Sequence, residues 1–156
     1  MSAHQSSGHV LQPLHFPLWG SRLIEASAGT GKTWTIAALY LRLVLGHGDA
    51  EGFTRPLMPP DILVMTFTRA ATRELSDRIR ARLIEAVQWF RGEAEPAAHD
   101  TFLRDLRDAY PEGNARNTAA WRLDMAAQCM ADAAIHTIDA WCQRMLREHA
   151  FDSTNP

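Results

Sequence analysis

In the run EASAGTGKTW, residues 25–34, position 32 holds the chain's single lysine, whereas the other fifteen long basic side chains are arginines. Gly29 and Gly31 stand just before it and Thr33 follows. Glycine lets backbone N–H groups turn inward and approach an anion with no Cβ in the way. A compact ammonium serves phosphate oxygens as a point charge, in a space where a forked guanidinium would not fit. A neighbouring threonine hydroxyl is suited to ligate Mg²⁺. Ala26, Ser27, Ala28, Gly29, Thr30, Gly31, Lys32 and Thr33 are therefore the candidate nucleotide-phosphate loop, with Lys32 and Thr33 as the candidate catalytic pair and Thr33 as the metal ligand. The strict pattern G-x-x-x-x-G-K-[ST] has glycine where this chain has Ala26. An ordinary glycine-rich turn with a surface lysine stands as the alternative.

Two further stretches carry polar residues at spacing that suits ligand contact. In TFTRAATREL, residues 66–75, Thr66 and Thr68 offer hydroxyls to phosphates, Phe67 a face for a base, and Arg69 and Arg73 positive charge. The competing reading there is a buried Phe67 with Thr68 capping a helix. In IHTIDAWCQRML, residues 135–146, Thr137 is placed either to cap a helix or to hold a phosphate. Helical periodicity makes Trp141 and Cys142 core residues. A Cys142 nucleophile paired with His136 or His149 has nothing to orient it.

These stretches need elements to position them. RLIEA, residues 22–26, suits a buried strand that leads straight into the glycine loop. From Thr33 the apolar residues Ile36, Leu39, Tyr40, Leu43 and Val44 recur at helical period, and Gly46 is placed to end that helix. After a loop containing Pro59 and Pro60, DILVMTF (61–67) predicts a second strand. Leu75, Ile79, Leu83, Val87 and Phe90 then trace a helical stripe, with the arginines largely off it. Residues 92–132 predict one or two helices broken near Pro111 and Gly113, and AAIHT (133–137) a third strand feeding a helix with Ile138, Trp141, Cys142, Met145, Leu146 and His149 on one face. Three strand-then-helix units argue for an α/β fold, a parallel sheet with flanking helices.

The 156 residues, 46% hydrophobic, suffice for one domain or part of one. A net charge of −2 excludes a uniformly basic nucleic-acid coat, so an anion site must come from local arrangement. Residues 69–91 carry six arginines against three acids, while residues 92–132 carry four against eight, which makes the earlier segment the anion-facing one. Two cysteines, Cys129 and Cys142, are too few for a disulfide framework and favour a reducing, cytoplasmic setting. The N-terminus lacks a signal-peptide pattern, and no apolar run approaches the roughly 18 residues of a membrane span. Residues 1–18 are expected to form a leader, with the domain over 19–156.

Taken in order, LIEASAGTGKTWTIAALYLRLV, ILVMTFTRAATRELSDRIR and TIDAWCQRML resemble the N-terminal end of the UvrD-like superfamily 1 DNA helicases, of the branch that forms the β subunit of exodeoxyribonuclease V. In that family alanine at the position of Ala26 is common. The resemblance implies a RecA-like P-loop NTPase, ATP and Mg²⁺ bound through Gly29, Gly31, Lys32 and Thr33, and Phe67, Thr68 and Thr137 along a single-stranded DNA track, with Arg69 beside them. It further implies helicase and exonuclease activity on DNA ends in double-strand break repair and recombination, with RecC and RecD as companion subunits. Two positions depart from the pattern. Asp139 stands where many relatives have histidine, and a carboxylate there would repel phosphate; Arg69 stands where relatives vary. The family's Asp-Glu strand, which holds Mg²⁺ and positions the attacking water, has no counterpart, since no Asp-Glu pair occurs in the chain. The expectation is an incomplete domain that holds ATP but does not by itself hydrolyse it at a helicase rate. The alternatives are a different P-loop enzyme, such as a small kinase, and a non-catalytic module that binds DNA or a partner.

Overall fold

A computed structural model describes residues 12–18, 32–49, 52–53 and 55–150. The expected strand at 22–26 and the glycine loop from Ala26 to Gly31 lie outside the described residues. Helix α1 (Lys32–Leu45) buries Ala37, Ala38, Tyr40, Leu41, Val44 and Leu45; of the residues its period marked out, Tyr40 and Val44 are buried, whereas Ile36, Leu39 and Leu43 are only half-buried, so the packed face is turned from the expected one. It stops at Gly46, whose φ of +67° is the left-handed conformation that costs glycine little. The Gly46 N–H donates to the Leu43 carbonyl and the His47 N–H to the Arg42 carbonyl, which satisfies the last turn in the manner of a Schellman cap.

A short 3₁₀ turn (Pro59–Asp61) leads into strand β1 (Leu63–Thr66). Helix α2 (Arg69–Phe90) follows, and Leu75, Ile79, Leu83, Val87 and Phe90 are all buried, as their spacing predicts. At 22 residues, about 33 Å long, α2 is the spine of the fold and packs against α1 and α4. Residues 92–132 divide into α3 (Thr101–Asp108), α4 (Asn114–Gln128) and a 3₁₀ turn (Cys129–Asp132), with the break at 109–113 where Pro111 and Gly113 stand. Strand β2 (Ala134–Thr137) then pairs with β1 in parallel, and α5 (Ile138–Ala150) closes the described chain. The result is a helix-rich α/β fold with a two-stranded parallel sheet among the described residues. No helix among them is long and apolar enough to cross a membrane.

Ladder alternation gives the sheet one packed and one open face. Val64 and the buried Ile135 pair in register and join the core, whereas Leu63 and Met65 on the other face are about half exposed. Helix α5 corrects the expectation for Trp141 and Cys142. None of its residues is buried: Trp141 is half-buried and Cys142 exposed, because α5 packs on the two strands and not on the α1–α2–α4 core. Part of the stretch expected as a leader is docked. The fully buried Arg42 donates from Nη1 to the carbonyls of Pro13 (2.9 Å) and Phe16, and Leu14 packs on the core.

Candidate functional site

Lys32 and Thr33 are the first two residues of α1. Lys32 is exposed and Thr33 half-buried, so the ammonium stands in solvent at the helix's N-terminal end. The first turn of α1 holds no acidic residue. A helix N-terminus with a lysine beside it attracts anions. The six other loop residues, Ala26 to Gly31, lie outside the described residues.

The remaining sequence-selected residues converge at the C-terminal end of the sheet. Register pairs Thr66 with Thr137, so both strands end at one level and α2 and α5 start from the same end. Phe67, in the turn between β1 and α2, is 88% exposed, which excludes the buried reading of that ring. Thr68 does cap α2: its hydroxyl oxygen accepts from the Ala71 N–H at 3.0 Å. Thr137 does the same for α5, accepting from the Ala140 N–H at 3.2 Å. A hydroxyl that accepts a backbone N–H keeps its own hydrogen to donate, so capping and phosphate contact are compatible at both threonines. Thr66 is turned inward, sharing a hydroxyl–hydroxyl hydrogen bond with Thr72 and donating to the Thr68 carbonyl at 3.2 Å.

Phe67, Arg69, Thr137, Asp139, Ala140 and Gln143 line one cleft of about 260 Å³. It offers an exposed ring, a guanidinium, a hydroxyl and an amide, with one carboxylate opposing the positive charge. That set suits a single strand of nucleic acid, whose bases stack on aromatic faces while cations and hydroxyls meet the phosphates. Gln143 was not singled out in the sequence; its signal is its place four residues after Asp139, one helical turn on. A second depression, about 390 Å³, continues from Arg69 along Thr72, Arg73 and Ser76 of α2. A larger pocket of about 740 Å³ contains His15, His47, Tyr110 and Arg122, but it sits at the opposite end of α1, away from Lys32.

The chain matches the family model described as UvrD/REP helicase N-terminal domain over residues 10–155. It is 47% identical over 145 residues to the RecBCD enzyme subunit RecB of Escherichia coli K12, covering 92% of this chain and 12% of that protein. The same subunit of Haemophilus influenzae is 44% identical over 144 residues, with the same 92% and 12% coverage. One from Buchnera aphidicola of Acyrthosiphon pisum is 37% identical over 136 residues, 86% of this chain and 11% of the relative. The chain thus spans about one eighth of the length of these curated relatives. With the family model matched along nearly its whole length, the chain belongs to the UvrD/REP helicase N-terminal domain family and is a RecB-like member of it.

Proposed function

We propose that this chain is the ATP-binding N-terminal part of an ATP-dependent DNA helicase subunit, with residues 26–33 as a RecA-like phosphate loop. The carrying observation is the placement of Lys32 and Thr33 on the first turn of α1, a turn without acids. The residues there suit Mg²⁺-ATP. Lys32 would meet the β and γ phosphates as a point charge, and the Thr33 hydroxyl would ligate the metal. When bound, Mg²⁺ neutralises charge that develops on the phosphates during transfer to water. Phe67, Thr68, Arg69 and Thr137 form the DNA-facing part, the ring stacking a base and the others meeting phosphates.

The relatives' name, RecBCD enzyme subunit RecB, supports assembly with RecC and RecD. We place the whole protein at DNA ends in the cytoplasm, in double-strand break repair with associated exonuclease action. Residues 19–156 are read as part of its ATP-binding domain, with residues 12–18 docked on it through Arg42. Titration calorimetry of Mg²⁺-ATP tests the nucleotide site. Lys32→Ala removes a charge-assisted contact of about 2 kcal/mol, so affinity should fall at least about tenfold. Equal affinity in both proteins would overturn the reading.

A further inference from the structure

Trp34, next to Thr33, is the only aromatic residue in the first turn of α1. Its ring meets the edge of Phe102 on α3 at a centroid distance of 5.8 Å and an interplanar angle of 74°. The guanidinium carbon of Arg82, from the middle of α2, lies 5.6 Å from the Trp34 ring centre and 6.0 Å from that of Phe102. Arg82 is itself clamped. Nη1 and Nη2 both donate to Asp100, the latter at 2.9 Å, and Nη1 also reaches Glu85 at 3.1 Å. Asp100 in turn caps α3, accepting from the Leu103 N–H at 3.4 Å. Arg82 and Asp100 are 8% and 9% exposed, whereas Trp34 is 44% exposed. The ring is thus held on one side, by this cluster, and open on the other.

Stability does not account for the pair. A buried ion pair gives little or no net stabilisation over well-packed apolar residues of the same volume, and the buried Arg82 Nε has no hydrogen-bond partner among the described residues. What the pair does supply is direction. A bidentate arginine–carboxylate contact fixes the guanidinium plane, and that plane, with Phe102, fixes the Trp34 ring. Helix ends fray unless their side chains are anchored, and fraying here would move Lys32 and Thr33.

We propose that Arg82 and Asp100 are positioning residues for the phosphate-binding turn, acting on Lys32 and Thr33 through Trp34 and Phe102. The proposal rests on the nucleotide-binding reading above. It makes the turn after the phosphate loop a reporter: by linkage, a ligand that orders Lys32 and Thr33 must also order Trp34.

The test uses the full 156-residue chain labelled with 5-fluorotryptophan, with the Trp34 resonance assigned by Trp34→Phe, and Mg²⁺-ATP as the probe. The variant Arg82→Met/Asp100→Leu replaces the pair by apolar side chains. The expected result is a folded chain whose melting temperature falls by no more than the lost α3 cap accounts for, a shifted and broadened Trp34 resonance, and a five- to twentyfold loss of Mg²⁺-ATP affinity. Phe102→Leu, which keeps the ion pair and most of the apolar volume, is expected to move affinity and resonance in the same direction, and it decides the matter if the double variant does not fold. Wild-type affinity in a folded variant overturns the positioning role and leaves the nucleotide site intact. Failure of the unaltered chain to bind Mg²⁺-ATP, with Lys32→Ala indistinguishable from it, overturns the nucleotide reading itself and the positioning role with it.

Discussion

Thr66 stands opposite Thr137, 71 positions on, in the parallel ladder, and this one pairing brings the residue after Thr66, Phe67, to the same cleft as Thr137. The Phe67 ring is 88% exposed, so it contributes almost nothing to the core. Phe67→Ala should therefore change stability by no more than about 0.5 kcal/mol. In the whole helicase subunit it should weaken single-stranded DNA binding by about 1–3 kcal/mol, the range for one base stacked on an aromatic ring. Fluorescence anisotropy with a labelled oligothymidine measures this, and unchanged affinity would remove Phe67 from the DNA track.

Asp139 shares that cleft with Arg69 and sets a negative charge against it. A carboxylate close to a phosphate path costs on the order of 1 kcal/mol where solvent screens it, and less as salt rises. Asp139→Asn is expected to tighten single-stranded DNA binding severalfold at low ionic strength, with the gain shrinking towards physiological salt. A gain that did not depend on salt would point to a changed shape of the cleft instead of a removed charge.

Much of the fold was legible because the signals are local. The stripe from Leu75 to Phe90, the stop at Gly46 and the break around Pro111 and Gly113 each follow from residues within a turn or two of one another. What was not legible depends on distant partners. Arg82 was expected off the buried stripe, yet it is buried because Asp100, eighteen residues on, neutralises it. The apolar face of α5 is real as periodicity, but burial needs a neighbour, and Leu146 remains 72% exposed. The same holds for β1. Alternation puts Leu63 and Met65 on one face, and only the packing shows that this is the open one.

His47 gives the fold an acid-sensitive clip. Its Nδ1 accepts from the Arg42 Nε–H at 3.0 Å, while Arg42 ties residues 13–16 to the end of α1. Burial, then the charges of Arg42 and His15, lower the His47 pKa from 6.5 to about 4, with Asp49 opposing. The folded chain therefore binds fewer protons than the unfolded chain between these values, and stability rises with pH across the interval. The stabilisation is full above about 6.5 and is lost as pH falls towards 4. After allowance for solvent around a half-buried ring, its size is on the order of 1–2 kcal/mol. Urea denaturation at several pH values should show this slope, and His47→Gln, which can still accept from Arg42 but does not titrate, should flatten it.

Asp100 responds to acid in a different window. Burial alone would raise its pKa, but the hydrogen bonds and charge of Arg82 outweigh burial and hold the carboxyl below its ordinary 3.8. A group depressed in the folded state stabilises it above the unfolded value and loses that contribution as pH falls through the folded one, so this contribution is flat from neutrality down to about pH 4 and drops only below. Asp100→Ala at neutral pH should cost about 3–5 kcal/mol, because it takes the bidentate partner from a buried guanidinium, leaving it only the half-exposed Glu85, and leaves α3 without its cap. Arg82→Met/Asp100→Leu should recover most of that loss, since no charge is then stranded. The two acid responses are therefore separable by mutation. His47→Gln should remove the slope between pH 6.5 and 4 and leave the lower transition, while the apolar double replacement should do the reverse. A single variant that abolished both would mean that the Arg42–His47 clip and the Arg82–Asp100 clamp unfold as one unit.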